Sequence, residues 1–208
     1  MDGNNSEMKT HKKQKKQIKT GAFEPIPGKF LILGSRATYK SLKREFFYTS
    51  CKTDDKNANI IWQILDFAFY DGKPVLRALI DNYIDEFDKG SCSNSKTASI
   101  KKEIISLLHK NGICLSDVIF ECESSSSLDN DIYNLVPSPH LDRLVKESTV
   151  VLLNGTKAGQ IFKKLICQGD IISTVRYIVL PSTSRTPGKN VKKIEERINI
   201  WKNAFNIG

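Results

Sequence analysis

Four short runs of apolar and β-branched residues punctuate the chain: "KFLILGS" at 29–35, "ICLSDVIF" at 113–120, "TVVLLN" at 149–154 and "RYIVLP" at 176–181. Each has strand length and stops at small or polar residues, and the first has the form of a buried strand that feeds a loop. Between them the period changes. "NIIWQILDFAF" (59–69) has helical length and a thick apolar face, and "PVLRALIDNYIDEF" (74–87) holds a short helix. "SIKKEIISLLHKNG" (99–112) sets Ile100, Ile104, Leu107 and Leu108 on one face before a C-terminal cap at Gly112. A helix after Asn154-Gly155 turns Ala158, Ile161, Phe162 and Leu165 inward. The last helix does the same with Val191, Ile194, Ile198, Trp201 and Phe205, with Asn190 as its N-cap. Strands alternating with helices imply parallel pairing, and so an α/β fold with three layers, α/β/α, around a mostly parallel four-stranded sheet.

Sheets of this kind bind ligands beyond the carboxyl ends of their strands. Here those ends are "GSRAT", "ECESSSSLD", "NGTK" and "PSTSR", all small and polar. Together they make a rim of compact donors that a phosphate backbone can approach closely. "DKGSCSNSKTAS" (88–99) and "ECESSSSLDNDIYN" (121–134) read as hydroxyl-rich loops, and an exposed loop is expected over about 86–98.

Length and composition narrow the classes. A chain of 208 residues suits one well-buried domain, expected over 25–208, behind a polar, Lys-rich arm at 1–24 that is expected to be disordered. Apolar content of 39% and charged content of 26% are ordinary for a soluble globular protein. No apolar run approaches the roughly 20 residues of a membrane span. The basic N-terminus lacks the apolar core of a secretory signal, so an intracellular protein is expected, cytoplasmic or, in a eukaryote, nuclear. The five cysteines are scattered without a Cys-x-x-Cys, and the three histidines have no obvious metal partners, so no metal and no cofactor are expected. Neither Gly-x-Gly-x-x-Gly nor Gly-x-x-x-x-Gly-Lys-Ser/Thr occurs, which argues against a nucleotide-binding enzyme. Of the net charge of +9, residues 1–29 hold +4 and residues 181–208 hold +4, leaving the body nearly neutral. Basic ends on a neutral body suit a nucleic-acid partner, although a charge run alone also serves as a solubilising tail.

The ordered set "LILGS" (31–35), "FFY" (46–48), "NIIW" (59–62), "LSDVIFECESSSSLD" (115–129), "LLNGTKA" (152–158) and "LPSTS" (180–184) resembles the uracil-DNA glycosylase superfamily, and within it the hypoxanthine-DNA glycosylase-like branch. The segments follow the family's order and span residues 30–205. Arg36-Ala37 depart from the branch's Met-Pro, "TSCKTDDK" lengthens the stretch before the Asn, and Arg185 replaces a Pro.

The resemblance implies a monomeric glycosylase that flips a deaminated base, uracil or hypoxanthine, out of single- or double-stranded DNA and hydrolyses its bond to the sugar. It places the water-positioning Asn at Asn59, with Asn57 as the alternative because of the insertion; either would also serve as a helix N-cap. Phe47 or Tyr48 would stack on the base, or simply pack in the core. Asp117 and Asn154 would face the base pocket, and Asp129 is a weaker candidate of the same kind; a solvated or N-capping role stays open for both acids. Gly34, Ser35, Gly155 and Lys157 would meet the nucleotide's phosphates, as would Pro181, Ser182, Thr183 and Ser184, with Arg185 reaching the groove. Tight-turn and capping roles remain open for Asn154-Gly155 and the Ser/Thr run. A noncatalytic nucleic-acid-binding relative is the alternative reading.

Overall fold

The structure is a computed structural model that describes residues 16–19, 26–90, 95–124, 132–169, 174–185 and 192–207. In chain order its elements are β1 (Lys16–Lys19), β2 (Phe30–Gly34), α1 (Tyr39–Lys43), α2 (Ile61–Phe69), α3 (Val75–Asp88), α4 (Ser95–Lys110), β3 (Ile113–Asp117), β4 (Ile119–Ser124), β5 (Ile132–Pro137), α5 (Leu141–Glu147), β6 (Val150–Asn154), α6 (Thr156–Gln168), β7 (Arg176–Leu180) and α7 (Ile194–Ile207).

The four apolar runs supply one parallel sheet in the order β3-β2-β6-β7. The second run is cut short, because β3 ends at Asp117 and Ile119 opens β4 of a separate sheet, so Asp117 and not "ECESSSSLD" ends the strand at the rim. Alternate side chains of its central strands enter two separate cores. Phe30, Ile32, Val150 and Leu152 join α2, α3, α4 and α7 on one face; Leu31, Leu33, Val151 and Leu153 join α5 and α6 on the other. Being buried on both faces is why these strands read as continuous apolar runs rather than alternating ones. The register pairs Gly34 with Asp117, Leu33 with Leu153, and Asn154 with Leu180, so all four strands end at one level. The expected three-layer fold is present, and its carboxyl rim is a single surface.

The joint between α2 and α3 is fixed by a buried acid. Asp66, with no solvent exposure, accepts from the backbone N of Leu76 (2.7 Å) and of Arg77 (3.3 Å), and pairs with Arg77 Nε at 2.9 Å. It thereby satisfies first-turn donors of α3 that no local side chain caps. Among the described residues no helix is long and apolar enough to cross a membrane.

Three further expectations need correction. The stretch expected as a hydroxyl-rich loop at 121–134 is partly strand: β4 and β5 pair antiparallel and, with β1, make a second, three-stranded sheet. Ile119 and Cys122 are buried beneath it, an apolar anchor that the serines obscure in the sequence. Residues 125–131, including Asp129, lie outside the described residues. Within the expected disordered arm, Lys16–Lys19 instead pairs with β4, setting Lys19 opposite Glu121; the rest of 1–24 lies outside the described residues. The exposed loop expected at 86–98 is shorter, because α3 continues to Asp88 and α4 starts at Ser95. Glu86 and Thr97 are buried there, and Glu86 accepts charge-assisted bonds from Lys89 and Lys96 that hold the two helix ends together. Asn190, the expected N-cap of the last helix, and Val191 lie outside the described residues.

Candidate functional site

Gly34 ends the central strand, and its missing side chain is what lets two polar groups meet there. A Cβ at this position would lie 2.4 Å from Asp117 Oδ1 and 2.9 Å from the Tyr48 hydroxyl. Asp117 is 5% exposed, at the end of β3, and the chain beyond it is tied down by Val118 N donating to Gly34 O and Ile119 N to Ser35 O. Tyr48 adopts a left-handed backbone, φ 53°, which costs about 1–2 kcal/mol for a residue with a Cβ. The cost is met locally. Trp62 Nε1 donates to Tyr48 O at 3.2 Å, and Phe46, stacked on Trp62 with centroids 6.1 Å apart, anchors the turn in the core. Burial, followed by the neighbouring Asp117 charge, pushes the Tyr48 phenol well above its ordinary value of 10.0, so it stays protonated.

Phe47 does not share this site with its neighbour's hydroxyl. Its ring centroid is 6.5 Å from that of Tyr48, and it lines an apolar recess with Ile105, Leu108 and Leu115 between α4 and β3. Ser35 and Lys157 are half-buried on the rim, Ser35 next to Gly34 and Lys157 in the first turn of α6.

Asn154 joins the two sides of the rim. Its Nδ2 donates to the Tyr48 hydroxyl at 3.1 Å and to Thr183 Oγ1 at 2.8 Å, while its Oδ1 accepts from Thr183 N at 2.8 Å. Gly155 follows with φ 95°, and a Cβ there would meet Ser182 Cβ at 3.1 Å, so a glycine is needed both for the turn and for the close approach.

The backbone carbonyls of residues 180–184 are all engaged by the body of the protein. Leu180 O accepts from Gly155 N (3.0 Å), Pro181 O from Trp201 Nε1 (2.9 Å), and Thr183 O from Ile60 N (2.9 Å). Ser182 O and Ser184 O both accept from Arg197 Nη1, at 2.9 and 2.7 Å. The groups that would repel a phosphate are thus held by donors, and the exposed Ser182 stands at the surface with its Oγ accepting from Ser184 N at 3.2 Å. Arg185 Nη1 donates to Asp55 O at 3.1 Å. Thr183 itself is fully buried and braces the loop from within.

The Ile60–Thr183 bond brings the start of α2 to the same loop. Asn59, half-buried, accepts at Oδ1 from Ile61 N at 3.0 Å, which closes the first turn of the helix. An amide oxygen has a second lone pair, so capping leaves acceptor capacity. Asn57 is exposed, and its backbone N donates to Asp55 Oδ1 at 2.7 Å. Arg197 and Trp201 were not singled out for the site from the sequence. The available signal was spacing: Arg197 lies four residues before Trp201, on the inward face of an amphipathic helix where a charge needs a reason. Among the described residues no group of His, Cys, Asp and Glu could hold a metal ion.

The molecule is therefore a three-layer α/β protein with a polar rim at the carboxyl end of a four-stranded parallel sheet. No family model matches the chain, and no curated protein matches it. Among solved structures it is similar to the solution structure of a protein from Methanosarcina acetivorans described as "a putative Uracil DNA glycosylase". The likeness has a TM-score of 0.56 at 20% identity and covers 89% of this chain and 95% of the other. The two chains share one fold.

Proposed function

We propose that the protein is a DNA glycosylase that removes a deaminated base, uracil or hypoxanthine, acting as a monomer without a cofactor. The observation that carries this reading is the convergence on one rim of the Asn59 helix start, the Tyr48–Asp117 pair and the clamped 181–185 loop, within a glycosylase-like fold. Ser182, Ser184 and the first turn of α6 grip phosphates on either side of a flipped nucleotide, and the base enters beside Gly34. Asp117 accepts from a base N–H, a group that both uracil and hypoxanthine present beside a carbonyl. The protonated Tyr48 hydroxyl donates toward the base. Asn59 orients a water on the far face of the sugar. The water oxygen bonds to C1′ as the C1′–N bond breaks, the base leaves with the bonding electrons, and the proton lost by the water restores its neutrality.

Single-turnover assays on duplexes holding uracil, thymine mispairs, hypoxanthine or xanthine, followed by alkaline strand scission, test this reading. Release of uracil or hypoxanthine is expected, and Asn59→Ala lowers it by orders of magnitude while DNA binding survives. If Asn57→Ala alone abolishes release, the water-positioning role moves to Asn57. Salt-sensitive DNA binding with no product from any duplex replaces the enzyme with a noncatalytic DNA-binding protein, the reading favoured by the substitutions at Arg36, Ala37 and Arg185.

A further inference from the structure

The segment "TSCKTDDK" (49–56) runs from the aromatic turn at 46–48 towards the start of α2, and only Thr49 within it is buried. It cannot fix its own path by apolar packing. One face of α3 fixes it instead. Asp81, Asp85 and Asp88 are spaced by four and three residues, so they share that face. At one end Arg44 forks onto Asp88, at 3.1 Å from Nε and 2.6 Å from Nη2; its Nη1 donates to Thr49 O, and the Tyr83 hydroxyl donates to Arg44 O. Further along, Lys52 meets Asp85 at 2.8 Å, and Asp81 accepts from both Thr53 N and Thr53 Oγ1, each at 2.7 Å.

These contacts are unequal. Lys52 and Asp85 are each nearly half exposed, where an ion pair is screened and contributes little. Thr53 and Asp81 are half-buried, and a carboxylate that takes two donors from one residue fixes orientation as well as position. Beyond Thr53 the chain has little freedom left. Asp55 N donates to Lys52 O, Ala58 N to Asp55 O and Asn57 N to Asp55 Oδ1, which coil 52–58 into consecutive turns. Ala58 is buried, Asp55 O also accepts from Arg185 Nη1, and Ile60 N donates to Thr183 O. A continuous series of bonds thus leads from Asp81 to Asn59.

We propose that Asp81 is a positioning residue: by clamping Thr53 it sets how the chain enters α2, and so places Asn59 at the rim. Its action is mechanical, exerted through the backbone of residues 53–59. A water-positioning group must be held to a fraction of an ångström, so slack introduced at Thr53 reaches the chemistry even though Asp81 touches no reacting atom. The effect on base release rests on the proposed function; the placement of Asn59 does not.

Amide hydrogen exchange of the full chain reads the placement, because Ile61 N donates to Asn59 Oδ1 and Ile60 N to Thr183 O. In Asp81→Ala, exchange at Ile60 and Ile61 is expected to rise by about tenfold or more, while Leu76 and Arg77, held by Asp66 at the start of α3, keep the wild-type rate. Single-turnover base release at saturating enzyme is expected to fall by about 100-fold, with affinity for undamaged duplex unchanged. Thr53→Val keeps the side-chain shape without the hydroxyl and should move both readouts in the same direction; Thr53→Ser keeps the hydroxyl and should match the wild type. If Asp81→Ala fails to fold, the Thr53 pair decides by the same readouts. Wild-type exchange at Ile60 and Ile61 in Asp81→Ala overturns the proposal. So does a rise shared equally by Leu76 and Arg77, which marks general loosening, and so does faster exchange at Ile60 and Ile61 with base release unchanged. A wild type that releases no base overturns the proposed function instead, and the exchange comparison still decides whether Asp81 places Asn59.

Discussion

The two halves of the rim are built differently. On the β7 side, the loop carbonyls are engaged by residues of α6, α7 and the start of α2, and Thr183 is fully buried, so the 181–185 loop is held from several directions at once. On the β2 and β3 side, Tyr48 and Asp117 depend on one empty space above Gly34 and on a tyrosine in a left-handed conformation. A surface that grips a repeating phosphate backbone benefits from redundant bracing. A pocket that must discriminate one base depends on a few atoms, and small steric changes there count for more.

The sharpest way to break this contrast is at Gly34. In Gly34→Val the new Cβ would sit 2.4 Å from Asp117 Oδ1, and neither a strand backbone in a parallel sheet nor a 5%-exposed carboxylate can yield easily. Base release is expected to fall by about 100-fold, at a stability cost of about 1–3 kcal/mol. Affinity for undamaged duplex should remain, since the 181–185 loop is untouched. Single-turnover rates set beside duplex titrations check both halves; parallel losses of rate and affinity would merge the two regions into one.

How far the sequence predicts this arrangement depends on how local the cause is. β2, β3 and β6 were legible because burial on both faces leaves short apolar runs; β7 is an edge strand with Tyr177 and Val179 exposed, and its β-branched and aromatic run is what marked it. The second sheet was not legible, since β4 reads "IFECES" and only Ile119 and Cys122 report its buried side. The small polar strand ends foretold a rim, but not how its parts connect. The Asn154–Thr183 bonds span 29 residues and the Asn154–Tyr48 bond spans 106, and no spacing rule reaches that far. Phe47 and Tyr48 could not be separated in sequence: a positive φ at Tyr48 sends adjacent aromatics to different places, Phe47 toward α4 and the Tyr48 hydroxyl to the rim. Asn59 was weighed as catalyst or cap, and the structure places its oxygen on Ile61 N.

On the β7 side, proposed to grip phosphates, the corresponding change is Gly155→Ala. A φ of 95° is strained for alanine, and its Cβ would press on Ser182 Cβ at 3.1 Å. A loss of about 1–2 kcal/mol is expected in urea unfolding, with weaker duplex binding and an unaltered single-turnover rate at saturating enzyme. A slowed chemical step at saturation would mean that the loop also sets the base pocket.

Tyr48→Phe probes the bridge between the halves. The hydroxyl accepts one bond from Asn154, whose Nδ2 keeps Thr183, so the stability change near neutral pH should be about 1 kcal/mol. The effect should depend on pH. The folded-state pKa of Tyr48 is raised above 10.0, so between that value and its raised value the unfolded chain binds fewer protons than the folded one. Wild-type stability contributed by the protonated phenol is complete below pH 10 and declines above it. Tyr48→Phe should lose less stability on raising the pH through this range, and identical alkaline profiles would place the hydroxyl in a solvated setting.

The smallest effect on binding and rate is expected at Trp201, a fully buried core residue whose hydrogen bond to the rim among the described residues is to Pro181 O. Trp201→Phe removes that donor at 2.9 Å and leaves a ring beside Phe205, whose centroid lies 6.2 Å from the indole. Pro181 is half-buried, so solvent can take over part of the lost bond, and the stability cost should be about 2–3 kcal/mol, set by the cavity a smaller ring leaves at this fully buried position. Because Leu180, Ser182, Thr183 and Ser184 keep their own donors, the loop should stay in place. The expected result is a few-fold weaker duplex affinity at constant salt, with the same salt slope and the same single-turnover rate. If this one bond proves to control the rate, the bracing is not redundant, and the loop behaves as one cooperative unit with the base pocket.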